Sequence, residues 1–145
     1  MKRITMLLVS LLMCVVAGVV FAQEIKPYKE GHVLQVSFIK IKPGQFNNYM
    51  KYLDGPYKAN MEAMKKAGLI TGYAVYRSQA HTPQDADLIL TVAFPNMAAL
   101  DRTDEADAIS TKVLGPMDSR DKASMDRESM RELLGSELTR ELILN

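Results

Sequence analysis

Tryptophan is missing from this chain of 145 residues, cysteine occurs once and histidine twice. The single cysteine, Cys14, lies in an apolar N-terminal run. If that run is removed, nothing remains to form a disulfide, a thiolate metal site or a thiol nucleophile. His32 precedes the first predicted strand and His81 sits in a polar loop. There is no His-x-x-Glu or His-x-x-x-His spacing to set two metal ligands on one helix face. A Gly-x-Ser-x-Gly elbow and a glycine-rich phosphate loop are also missing, which removes the local signatures of serine hydrolysis and nucleotide binding. There is no Gly/Ser linker, low-complexity tract or internal repeat, so a second domain has nowhere to begin.

Charge of one sign is scarce too. The 18 basic and 17 acidic residues leave a net charge of +1, a mixed surface that argues against nucleic acid or an anionic membrane as the main partner. The seven methionines beyond Met13 read as adaptable core filling, with no Met-x-x-Met cluster beside a histidine to hold copper. No cofactor and no metal are expected.

What is there begins at the N-terminus. Met1-Lys2-Arg3 is followed by an apolar run from Ile4 to Val20 and then by Phe21-Ala22. The basic start, apolar core and small residues at Val20 and Ala22 form a secretory signal, with cleavage after Ala22. Removing 22 of the 145 residues leaves 123, one domain of ordinary size, exported to the periplasm or secreted and free of the membrane. An uncleaved anchor is the alternative, because the run is only just short of a membrane span. Cys14 is not a lipid-attachment cysteine, since Met13 before it is not small.

The first strand is predicted near His32 to Lys42, ended by Pro43-Gly44. Phe46, Met50, Leu53, Tyr57, Met61 and Met64 then make a helical stripe that keeps phase across Gly55-Pro56, so a kinked helix is expected there, capped by Gly68. Leu69–Arg77 and Asp87–Phe94 read as two strands of a long-tipped hairpin. Asn96 and Thr103 are candidate caps of helical starts, the second with acidic residues in its first turn and a stop at Gly115-Pro116. A charged helix is expected from Ser119 to Leu134, ended by Gly135, and a last strand from Glu137 to Leu144. The order β-α-β-β-α-β, with an extra helix before the last strand, is that of an α+β ferredoxin-like fold with a four-stranded antiparallel sheet.

In that fold both helices cover one sheet face. Leu34, Val36 and Phe38, the wholly apolar parity of the first strand, are expected beneath them. The other face would carry Val33, Gln35, Ser37, Ile39 and Ile41, with Ile89, Thr91 and Ala93 of the third strand and Thr139, Glu141 and Ile143 of the fourth. So mixed a face needs a cover, and a second copy packed face to face is the simplest one.

The stretch "IKIKPGQFNNYMKYLDGPYKANMEAMKKAGLITGYAVYR" followed by "ADLILTVAFPNMAALD" resembles the dimeric α/β-barrel superfamily, which includes antibiotic-biosynthesis monooxygenase-like, NIPSNAP-like and muconolactone-isomerase-like proteins. The resemblance implies a homodimer with an internal cavity and does not imply one reaction. Haem-binding relatives would present a histidine from a helix, where this chain has none.

The ligand-binding candidates are Gln35 and Ser37 from the first strand, Tyr73 (or Tyr76) and Arg77 from the second, Thr91 from the third and Glu141 from the last, with Thr139 beside them. A buried Arg77 and Glu141 would have to pair or hold something charged. Alternatively, Arg77 and Glu141 sit in water at strand ends, and Gln35 and Ser37 bond across a dimer interface. Tyr49, Tyr52 and Tyr57 read as packing aromatics with their hydroxyls at the surface. Three roles follow. The first is an exported homodimer that binds a small molecule. The second is a cofactor-free oxygenase or isomerase on a small apolar substrate, with Arg77 as anchor and Glu141 or Tyr73 moving a proton. The third is an interaction protein that uses the charged helix.

Overall fold

The computed structural model describes residues 26–145, so the signal and cleavage site expected within 1–22 lie outside the described residues. Four strands, β1 (Tyr28–Ile41), β2 (Gly72–Arg77), β3 (Leu88–Phe94) and β4 (Arg131–Leu144), form one sheet in the order β2-β3-β1-β4. Every neighbouring pair is antiparallel. The helices are α1 (Phe46–Tyr52), α2 (Lys58–Lys66), α3 (Thr103–Leu114) and α4 (Met117–Met130). This is the ferredoxin-like α+β arrangement, with α4 as the additional helix before the last strand.

Between α1 and α2 the chain makes a π-turn over Leu53–Tyr57, with Gly55 at φ −97°, ψ −105° and Pro56 inside it. Proline has no N–H for the helical ladder, and the wider turn absorbs the defect without reversing the helix. The kink expected at Gly55-Pro56 is therefore present. Gly68, at φ +71°, takes the left-handed turn that ends α2. Leu69 and Ile70, the next two residues, are buried. The Asn96 side chain accepts from the Ala99 N–H and starts a 3-10 turn over Met97–Asp101. Thr103 is not a cap: it is already helical, and Arg102 stands before it, bonded to Glu105 and to the Gly68 carbonyl.

Two further expectations are corrected. The charged helix ends at Met130 rather than Leu134, and β4 runs 14 residues from Arg131, six earlier than its predicted start at Glu137. The alternatives were nearly balanced in local propensity. The 14-residue β1 supplied a full-length partner, pairing Ile39 with Leu133 and Ile41 with Arg131.

The second correction concerns the parity of β1. Val33 and Ile39 are the buried residues, and Ile39 packs with Tyr49, Leu53, Leu88 and Leu90 in the main core. The register pairs Ile39 with Leu88 and Ser37 with Leu90, so the odd positions of β1 face the helices. Leu34, Val36 and Phe38 lie on the opposite face. Sequence parity separates two faces, but which one meets the helices depends on how β3 and the α1 stripe dock against them.

Candidate functional site

Two surfaces qualify. The first is the sheet face away from the helices. Leu34 pairs with Ala93, Val36 with Thr91 and Phe38 with Ile89, and on the far side of β3, Ala74 pairs with Thr91 and Tyr76 with Ile89. All are half-buried except Tyr76, which is 56 % exposed. Glu137, opposite Val36, brings the first charge at the β4 edge. A sheet face left to water normally carries polar residues; this one is more apolar than the sequence led us to expect.

The second surface is a cleft of about 550 Å³ between the α1–π-turn segment and the α3–α4 hairpin. Tyr52, Pro56 and Ala59, at helical spacings of four and three, form one wall. Val113 and Leu114 face it from the end of α3, with Ser124 and Arg127 from α4. The π-turn puts Pro56 on this wall, so the backbone defect and the cleft coincide, a frequent association at functional sites.

Arg127 sets the electrostatics. Its Nη1 donates to the Tyr52 hydroxyl at 2.8 Å and its Nη2 to Ser124 Oγ at 2.8 Å, while the guanidinium lies 5.5 Å from the Tyr52 ring centroid. Tyr52 stacks on Tyr49 at 5.8 Å, and Arg131 covers the Tyr49 ring at 6.0 Å. Among the described residues neither Arg127 nor Arg131 has a carboxylate within salt-bridge distance. Arg120, on the same cleft, is ion-paired to Asp107 at 2.8 Å. Burial pushes the Tyr49 phenol up, an effect that the neighbouring Arg131 opposes.

Behind this wall, burial pushes the Tyr57 phenol up to about 12, and its hydroxyl has no partner among the described residues. The ring meets Tyr73 edge-on at 6.0 Å. A phenol raised from 10.0 to about 12 stays neutral in the fold while the unfolded chain ionises, so it leaves stability independent of pH below pH 10 and lowers it as pH rises from 10 toward 12. Tyr57→Phe is expected to flatten the loss of stability between pH 10 and 12. At pH 7 it is expected to leave the protein equally stable or about 1 kcal/mol more so, since an orphaned hydroxyl is removed. Urea midpoints at pH 8 and pH 11 check both.

The residues singled out in the sequence do not converge. Gln35, Ser37, Tyr73 and Arg77 lie on the helix side of the sheet, and Thr91 on the other. Ser37 Oγ is 3.4 Å from Ser136 Oγ, the Tyr73 hydroxyl donates to Glu62 at 2.7 Å, and Arg77 covers the Phe46 ring at 5.4 Å. Glu141 packs against Gly31, where a Cβ would fall 2.5 Å from its Oε2. Arg77 is level with Leu88 and Ile39, eight positions from Gly31 along β1, or roughly 27 Å at strand rise. Within one protomer Arg77 and Glu141 are too far apart to pair, while Tyr73, the other candidate for moving a proton, shares the helix side of β2 with Arg77. A larger opening of about 700 Å³ is lined by Lys42, Phe46, Arg77 and Asp87; there Arg77 covers the Phe46 ring and Lys42 Nζ donates to the Glu128 carbonyl.

Sequence reading missed Tyr52, Ser124 and Arg127. Arg127 was one charge among many on a helix assigned to solvent, and Tyr52 one packing aromatic among three. The available signal was the three-residue spacing of Ser124 and Arg127, which puts a hydroxyl beside a guanidinium on one face. His32 is on β1 and His81 is in the β2–β3 loop, so no described helix carries a histidine for haem. Nor do the described residues hold a cluster of three or more His, Cys, Asp or Glu side chains suited to a metal ion.

No protein-family profile matches the chain, and no curated protein matches it. Solved structures do. A dimeric ferredoxin-like protein from an uncultured marine organism is similar at a TM-score of 0.52 and 8 % identity, over 81 % of this chain and 98 % of that one. A second from an uncultured marine organism is similar at 0.50 and 6 % identity, over 81 % and 90 %. A haem-binding protein from Thermus thermophilus is similar at 0.46 and 16 % identity, over 81 % of this chain and 43 % of that one. At such identities the likeness is one of backbone, and it shows that the chain has a ferredoxin-like fold.

Proposed function

We propose that this chain is an exported homodimer that binds a small molecule in the cleft between the π-turn and the α3–α4 hairpin. The observation that carries the binding role is the cleft itself, about 550 Å³ with apolar walls and an Arg127 that lacks a carboxylate among the described residues. That size and mixture suit small-molecule sites. The dimer is supported by the apolar face of Leu34, Val36, Phe38, Ile89 and Ala93, and by the dimeric ferredoxin-like proteins that share the fold. A second copy laid on that face would close two sheets over a common interior. Export is supported by the basic start, apolar run and Ala22 cleavage signal of residues 1–22.

A thermal-shift screen of small metabolites tests the binding role. At least one compound is expected to raise the melting temperature, because a ligand at one hundred times its dissociation constant adds about 2.7 kcal/mol. A protein that responds to no compound in the screen would lose this assignment. The intact mass of the exported product checks the cleavage after Ala22.

A further inference from the structure

The chemistry of the cleft narrows its ligand, on the reading that it is a binding site. A guanidinium has five N–H donors, and Arg127 places one on Tyr52 and one on Ser124. Both hydroxyls accept from the cation and keep their own protons to donate. Arg127 Nε is buried, so this end of the cleft presents one positive charge, the remaining Nη protons and the two hydroxyl protons, with no carboxylate bonded to the guanidinium. Pro56, Ala59, Val113 and Leu114 line the remainder. The second cation, Arg120, is occupied by Asp107 at 2.8 Å. Asp121, exposed on the same lining, opposes a second negative charge on a ligand.

We infer that the cleft takes an amphipathic monoanion, a monocarboxylate whose carboxyl group meets Arg127, Tyr52 and Ser124 and whose hydrocarbon body lies along Ala59 and Val113. A dicarboxylate or phosphate ester would leave charge facing Asp121. A neutral amphiphile would leave the guanidinium unpaired, and an amine would face it with like charge.

Titration calorimetry on the purified protein with octanoate, octan-1-ol and octylamine tests this, each below its aggregation concentration. The methyl NMR signal of Met117, which lines the cleft, reports where the ligand sits. Octanoate is expected to bind at least tenfold more tightly than octan-1-ol, octylamine most weakly, and the octanoate complex to shift the Met117 methyl. Arg127→Met is expected to erase the preference for octanoate and leave octan-1-ol within twofold. Asp121→Asn, at an exposed position that the fold tolerates, is expected to tighten octanoate two- to threefold without changing octan-1-ol.

Equal binding of octanoate and octan-1-ol with a shifted Met117 methyl would overturn the ligand class and leave the cleft as a site. Three ligands that all leave Met117 unmoved would overturn both. An octanoate preference that survives in Arg127→Met discards the role of Arg127. Should that variant not fold, an Asp121→Asn protein with unchanged octanoate affinity overturns the proposal in its place.

Discussion

Phe38→Glu is expected to convert the proposed homodimer into single protomers. Phe38 is central on the sheet face away from the helices, opposite Ile89 on β3 and Gly135 on β4. A second copy related by a two-fold axis would bring both new carboxylates into one apolar interior. An unpaired charge buried there costs several kcal/mol, and two like charges add to it. The dimer dissociation constant is expected to rise at least one hundredfold, so that equilibrium sedimentation at micromolar concentration returns the mass of one chain. The protomer should keep its far-UV circular dichroism, because the helix-side core of Ile39, Tyr49, Leu53, Leu88 and Leu90 is untouched. Val113→Glu is the control, since Val113 is on the opposite side in the cleft and 36 % exposed. It should leave assembly unchanged. A Phe38→Glu protein that still sediments as a dimer would place the interface elsewhere.

Tyr49→Ala carries the largest expected loss of fold stability, about 3–5 kcal/mol. Tyr49 is 1 % exposed and is the largest of the fully buried side chains. Its removal opens a cavity under Leu53 and Leu88, takes away the ring on which Tyr52 stacks and uncovers Arg131. For a domain of this size the loss corresponds to a fall of roughly 10–20 °C in melting temperature. Tyr52→Ala, a half-buried position, is expected to lose less than half as much stability while disturbing the Arg127 hydroxyl partner directly. The comparison has to be made at equal protomer concentration, because association adds to apparent stability. Equal losses in the two variants would mean that the stacked pair, not the buried ring, is the structural unit.

These two residues also mark how far the sequence could be read. Tyr49 read only as a packing aromatic beside Met50 and Leu53, whose stripe continues past Gly55-Pro56. Because a proline without an N–H in a phase-keeping helix has few solutions, the kink was legible. Phe38 was legible as one of three apolar residues on one parity, but its destination was not. Alternation along β1 distinguishes two faces, and the choice between them is made by the side chains that arrive from β3 and α1, residues distant in the chain. β4 was read too short for a related reason. Met130-Arg131-Glu132-Leu133-Leu134 suits a helix as well as a strand, and only a long β1 beside it offered hydrogen bonds to the strand form.

The candidate site was the least legible part. Gln35, Ser37, Thr91 and Glu141 were grouped by parity, which says which face a residue is on but not how far along the sheet it lies. Glu141 and Arg77 turned out to be at opposite ends. The Arg127 cleft depends on a contact between α4 and α1 across 75 residues, the separation between the Tyr52 hydroxyl and its donor. No periodicity within either helix encodes such a contact.

The sequence by itself determined the order of elements, the kink, the turns at Gly44 and Gly68, and the lack of a cysteine beyond residue 22. Each of these rests on neighbours a few positions apart, through backbone sterics, hydrogen-bonding capacity or side-chain type. Only the tertiary structure decided which face of β1 is dry beneath helices and which lies open, where the helix yields to β4, and that Arg127 stands over Tyr52. Those outcomes depend on contacts between segments far apart in the chain, where many arrangements satisfy the local rules and packing selects one.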